Sequence, residues 1–281
     1  MNFPLAAKST FAIAWLCAVV LGSYLHEPLA SSHAIDSIVA GSYSGKSIQY
    51  PIKVRESTTE LHIQVGDRLF VFGKSKGTLD KVKIGMHVLT FAQVPGTEGL
   101  DSGFKTVSWK KLKDGSIQIQ SAYSPWPATL TWTVLATGQL KMEAIGTYDF
   151  QSSSSLGLGF DLPTHELKTL NWNAKGSTTG FWNGHQDGNV TLTPFLLPGI
   201  EKVNLTFESV GLAIQSETPN LILKVSDLKD HSTAAAKSDL SFLFESSNQG
   251  ISKADSPSGS IPTSPAQASE LSSMILWFNF H

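Results

Sequence analysis

From Ile48 onward the chain is written in short stretches in which apolar and polar residues alternate, the two-residue period of a strand with one face buried. Glu60-Leu61-His62-Ile63-Gln64-Val65 alternates cleanly, Gly66-Asp67 supplies a turn, and Arg68-Leu69-Phe70-Val71-Phe72 returns, which predicts a hairpin. Lys76-Gly77-Thr78-Leu79 turns again, residues 86–91 predict a further strand, and 96–103 a loop. Two more hairpins follow: residues 106–112 and 116–122 flank Lys113-Asp114-Gly115, and residues 128–135 and 139–147 flank Ala136-Thr137-Gly138. In Thr129-Leu130-Thr131-Trp132-Thr133-Val134 every second residue is apolar, so one face is buried and the other wetted.

Past the serine loop at 152–155, residues 156–162 and 167–172 predict strands, and 173–189, rich in Gly, Asn, Ser and Thr around Phe181-Trp182, predicts a long polar loop. Strands are expected again at 201–209, 210–215, 221–225 and 240–244. Residues 246–270 shift to Ser, Pro, Gly, Gln and Ala, the composition of a mobile excursion. The closing run Met274-Ile275-Leu276-Trp277-Phe278-Asn279-Phe280 would aggregate if left free, so it is expected to return and pair in a sheet. With no long amphipathic helix and no internal repeat, the pattern predicts an all-β fold: a large antiparallel β-sandwich forming a single domain over 35–281.

Composition agrees: of 281 residues 41% are hydrophobic and only 16% charged, enough for a sizeable core and contrary to disorder throughout. Lys+Arg at 21 against Asp+Glu at 23 leaves a net charge of −2, so no global field draws the chain to nucleic acid or acidic lipid. Cys17 is the one cysteine and lies in the N-terminal apolar run, which excludes a disulfide framework, a thiolate metal site or a Cys nucleophile downstream. Lys8 precedes an apolar stretch at 11–21 too short to span a bilayer, with small residues following at Ala30 and at Ser32-His33-Ala34. Residues 1–34 therefore read as a signal peptide, its rival being an uncleaved signal anchor, and the mature chain is expected to be secreted or periplasmic with no stable membrane span. Two sequons, Asn189-Val190-Thr191 and Asn204-Leu205-Thr206, are compatible with export.

Catalytic signatures are missing: there is no G-x-S-x-G elbow, phosphate loop or H-E-x-x-H motif. Gly157-Leu158-Gly159 has two glycines of a dinucleotide fingerprint, but no helix is predicted after it. His62, His87, His165 and His231 show no ligand spacing, so neither a metal nor a cofactor is expected, and the catalytic residues, if any, are unknown. The tryptophans are more informative, because aromatic faces stack on sugar rings while Asn, Asp and His side chains bond hydroxyls. Trp132 and Trp277, in alternating or apolar runs, read as core, and Trp126 between Pro125 and Pro127 as a packed turn. Trp182 sits beside Asn183, His185 and Asp187, where it either anchors the loop or meets a ligand. Between Lys53 and Lys113 eleven Lys/Arg face six Asp/Glu, by default a solvated face, with an acidic-polysaccharide surface as the sharper alternative.

The order of these elements resembles the C-terminal β-supersandwich of family 2 glycoside hydrolases, the β-galactosidase type, over residues 61–193. Ile63-Gln64-Val65-Gly66 to Phe70-Val71-Phe72 with Gly77-Thr78-Leu79 is similar to that domain's opening hairpin. Leu130-Thr131-Trp132-Thr133-Val134 with Gly138 and Leu140 is similar to its "tW.v..dG.l" strands, and Leu156-Gly157-Leu158-Gly159-Phe160-Asp161-Leu162-Pro163 to its "lGlrf.lP" signature. Residues 172–183 take the place of its "W.G.GP...W.NR" loop, with Gly176-Ser177 in place of Gly-Pro and Gly184 in place of Arg. The resemblance implies a galactose-mutarotase-like supersandwich and a carbohydrate partner, neutral rather than acidic, met by Trp182, Asn183, His185, Asp187 and Trp172. The family's catalytic acids lie in an upstream barrel that this chain lacks, so the leading expectation is an exported, non-catalytic accessory domain. The alternatives are a sugar-active hydrolase or lyase that uses the concave sheet as its cleft, with an acid/base pair among Asp161, Asp187 and the His residues, and a structural remnant or a subunit of a split enzyme that pairs with a catalytic barrel.

Overall fold

The computed structural model describes residues 48–94, 102–148, 156–176, 178–183, 195–226, 238–244 and 270–281. They fold as an all-β sandwich of antiparallel sheets within one compact unit, Ser47–His281. The first small sheet is a meander of β1 (Ile52–Glu56), β2 (Glu60–Val65), β3 (Arg68–Gly73), β4 (Thr78–Ile84) and β5 (His87–Leu89). The large sheet has nine strands in the order β13 (Thr178–Asn183), β12 (Thr169–Ala174), β15 (Ile200–Thr206), β16 (Gly211–Ser216), β19 (Glu270–Phe280), β10 (Leu140–Tyr148), β9 (Thr129–Val134), β8 (Ile117–Ser124) and β7 (Gly103–Lys111). The second small sheet runs β14 (Phe195–Pro198), β17 (Leu221–Val225), β18 (Leu240–Phe244), β11 (Gly157–Asp161) and β6 (Ala92–Gln93). A short 3-10 turn, Thr164–Glu166, links β11 to β12.

The apolar C-terminal run does pair: β19 lies mid-sheet between β16 and β10, so its long backbone leaves no free edge. Its even-numbered residues Met274, Leu276, Phe278 and Phe280 are fully buried. Both small sheets pack on that same face. Phe70 of the first reaches Phe280 at 6.1 Å between ring centroids, and Phe160 of the second reaches Phe278 at 5.4 Å. Trp132 of β9, 5.2 Å from Phe278, donates its indole N–H to Gln93 Oε1 at 3.1 Å, which satisfies two buried polar groups at once. Each fully buried aromatic of this kind contributes on the order of 1.5–3 kcal/mol by leaving water.

Gly157 and Gly159 prove to be packing residues in β11. A Cβ on the first would run into the Phe242 carbonyl, and on the second into the Ser238 hydroxyl, which bonds Ser241 at 2.5 Å. The first small sheet is tied to the large one by hydroxyls: Ser121 donates to Gly77 O at 2.7 Å and Tyr123 to Lys76 O at 2.7 Å. Burial pushes the Tyr123 phenol above its ordinary range. At the rim the Trp109 N–H and the Lys74 ammonium both bond Glu56, at 3.0 and 2.8 Å, with Lys74 the larger influence holding that carboxyl below its usual range.

Structure and pattern differ locally at β13, β4, β1 and β14. Within the stretch read as a loop at 173–189, residues 178–183 form β13, paired with β12 in full register. Thr178-Thr179-Gly180-Phe181-Trp182 is a β-branched and aromatic run, and Gly176 at φ +80° makes the turn that returns it. Thr78-Leu79, read as part of a turn, open β4, where a bulge opposite Val71-Phe72 interrupts the alternation; β1 and β14 are short and alternate weakly. The signal expected over 1–34 and almost all of the 246–270 excursion lie outside the described residues.

Candidate functional site

Of the five residues singled out by sequence, the three that are described do not share one face. In β12 and β13, Leu170 faces Trp182 and Trp172 faces Gly180, so both indoles share the core-facing side. A Cβ at Gly180 would run into the Trp172 indole, so the ring lies over the bare glycine and meets Phe195 of β14 at 5.0 Å. Both tryptophans pack half-buried against the core, and the buried Trp182 indole N–H meets no acceptor among the described residues. Asn183, one residue on, lies on the opposite face of the sheet in register with Thr169. His185 and Asp187 fall outside the described residues. Asp161 is exposed at the end of β11 in the second small sheet, away from both tryptophans' strands.

Asn183 belongs instead to the uncovered face of the large sheet. Where one face of that sheet is buried aromatic and aliphatic, the other has no buried side chain among the described residues. Strand register sets its contents in rows. One row runs from Asn173 through Lys202, Gln215, Trp277 and Lys141 to Thr133. The row beside it runs Asn171, Asn204, Ala213, Asn279, and on the β13 edge Phe181 stands 59% exposed next to Asn171. A Cβ at Gly211 would strike the His281 imidazole, which places that ring over Gly211 on the same face.

Trp277 is the organising side chain. It is half-exposed, its N–H donates to Glu217 Oε1 at 2.6 Å, and the Lys141 ammonium stands 5.6 Å from its ring centroid. Two partners, Lys141 in β10 and Glu217 just past the end of β16, thus hold the ring. Compared with protein-family models and with curated proteins, the chain matches none. The site is therefore argued from its own geometry.

That geometry combines one oriented aromatic with amides and hydroxyls whose donors and acceptors point away from the core, a surface that can stack on a ring and bond its hydroxyls. Glu143 of β10 and Glu217 after β16 flank Ile275 on this face, two strand spacings or about 9.5 Å apart between backbones. Among the described residues no group of three His, Cys, Asp or Glu side chains gathers to hold a metal ion. Sequence reasoning assigned Trp277 to the core because its run is apolar. The signal that could have placed it outward is the alternation with Asn279 two residues on.

Proposed function

We propose that this chain is an exported carbohydrate-binding sandwich, an accessory domain of the β-galactosidase type without turnover of its own, and that it binds neutral glycan across the open face of the large sheet. The observation that carries the reading is Trp277, held by Glu217 and Lys141 on a face otherwise furnished with Gln215, Asn279, Asn204 and Thr133. In this reading a sugar ring stacks beside the indole and its hydroxyls exchange bonds with the amides, while Asn183 and Phe181 extend the surface at the β13 edge. Trp172 and Trp182 support that edge from beneath.

The test is a titration of galactosides and glucans followed by tryptophan fluorescence and thermal shift, with chromogenic glycosides run in parallel. Saturable binding that Trp277→Ala abolishes, with no release of chromophore, is the expected result. Binding unaffected by Trp277→Ala would remove the site assignment. A second reading, a sugar hydrolase that uses this face as its cleft, is favoured by one observation, the Glu143 and Glu217 carboxylates on either side of Ile275. Chromophore release lost in Glu143→Gln or Glu217→Gln would select it.

A further inference from the structure

The first small sheet presents a second surface of opposite character. Register aligns Lys53 of β1 through Gln64 and Leu69 with Lys83 of β4, and Arg55 through His62 and Val71 with Lys81. These residues alternate with Ile63, Phe70 and Val82, which are buried in the core, so all four cations share the sheet's outer face. By strand geometry the two cation pairs stand about 14 Å apart across the sheet, with about 7 Å between members along each strand. Lys53, Arg55 and Lys81 are exposed and Lys83 half-exposed.

Among the described residues no carboxylate pairs with any of the four. Two acids of this sheet bond other groups: Glu60, on the same face, holds the His62 ring at 2.7 Å, and Asp80 accepts the Thr78 hydroxyl at 2.5 Å. A chain whose formal net charge is −2 thus concentrates four uncompensated cations on one flat face. Exposed like charges grouped in this way repel one another modestly in water and draw anions to the face, more strongly at low salt.

We infer that this outer face binds an acidic polysaccharide, a linear glycan bearing carboxylates or sulfates, at a surface separate from the one around Trp277. The cations meet the anionic groups, while Gln64 and His62 between them bond sugar hydroxyls. The rows hold no Phe, Tyr or Trp, and their one ring, His62, is tied to Glu60, whereas single-stranded nucleic acid is held by base stacking as well as charge. The apolar residues of the two rows inside the cation pairs, Leu69 and Val71, are recessed and do not project as a membrane-inserting surface would.

The experiment measures binding of dextran sulfate and polygalacturonate to the parent, to Lys53→Gln/Arg55→Gln and to Lys81→Gln/Lys83→Gln, over a range of salt. A single-stranded oligonucleotide and phosphatidylserine vesicles serve as competing probes. The expected result is binding that weakens as salt rises and falls about tenfold in each double variant at low ionic strength, with unchanged melting temperatures and unchanged behaviour in Trp277→Ala. Polyanion binding that both double variants retain would overturn the inference. So would tighter binding of the oligonucleotide or the vesicles than of either polysaccharide.

Discussion

Residues Trp277 and Phe278 are neighbours in β19 and could hardly be more alike in composition, yet they live on opposite faces of the large sheet. Phe278 is fully buried among Trp132, Phe91 and Phe160, with ring centroids 5.2 to 5.9 Å away. Trp277 is half-exposed and is held by a carboxylate and an ammonium, Glu217 and Lys141. A period of two therefore divides one apolar run into a structural half and a half free to do chemistry. The same division holds through the middle strands β19, β10, β9 and β8, where the described inward residues are buried and the outward ones are not.

The contrast can be broken most forcefully from the inside. Phe278→Ala removes a ring packed on Phe91, Trp132 and Phe160 and is expected to destabilise the fold by about 3–5 kcal/mol, read as a lowered denaturant midpoint. Trp182→Ala, at the half-buried edge, is expected to cost about 2 kcal/mol and to leave glycan affinity nearly unchanged, because its ring faces inward. A loss of affinity with no loss of stability would move the site back to the β13 edge. Tyr123→Phe removes the hydroxyl that ties the two sheets and is expected to cost about 1 kcal/mol. It also carries a pH signature. Burial raises the folded Tyr123 pKa above the ordinary 10.0, so its contribution is complete below pH 10.0 and is lost as pH climbs from there through the folded value. Parent protein is expected to lose stability in that alkaline range, and the Phe variant to lose less of it.

How far the sequence could be read depends on the distance over which each feature is encoded. Alternation within β8, β9 and β10 and the glycine turns at Gly115 and Gly138 are local, and the β7–β8 and β9–β10 hairpins fall where the pattern predicts them. The return of the C-terminal run was also legible, since an apolar segment of that length has to find a partner. β13 was not, because Gly176, Gly180 and the surrounding Ser, Thr and Asn give it the composition of a loop, and only pairing with β12 makes it a strand. The face around Trp277 was illegible for a different reason. Gln215, Trp277 and Lys141 come from three strands far apart in sequence, and it is cross-strand register, which no single segment specifies, that puts them side by side.

The pair of adjacent side chains also supplies the decisive measurement. Glycan affinity and denaturant stability are measured on Trp277→Ala beside the parent. An open-face site predicts stability within about 1 kcal/mol of the parent, as for an exposed position, together with lost glycan binding. A variant that binds as the parent does, or one that unfolds like Phe278→Ala, would show that Trp277 is not the residue through which this sheet meets sugar.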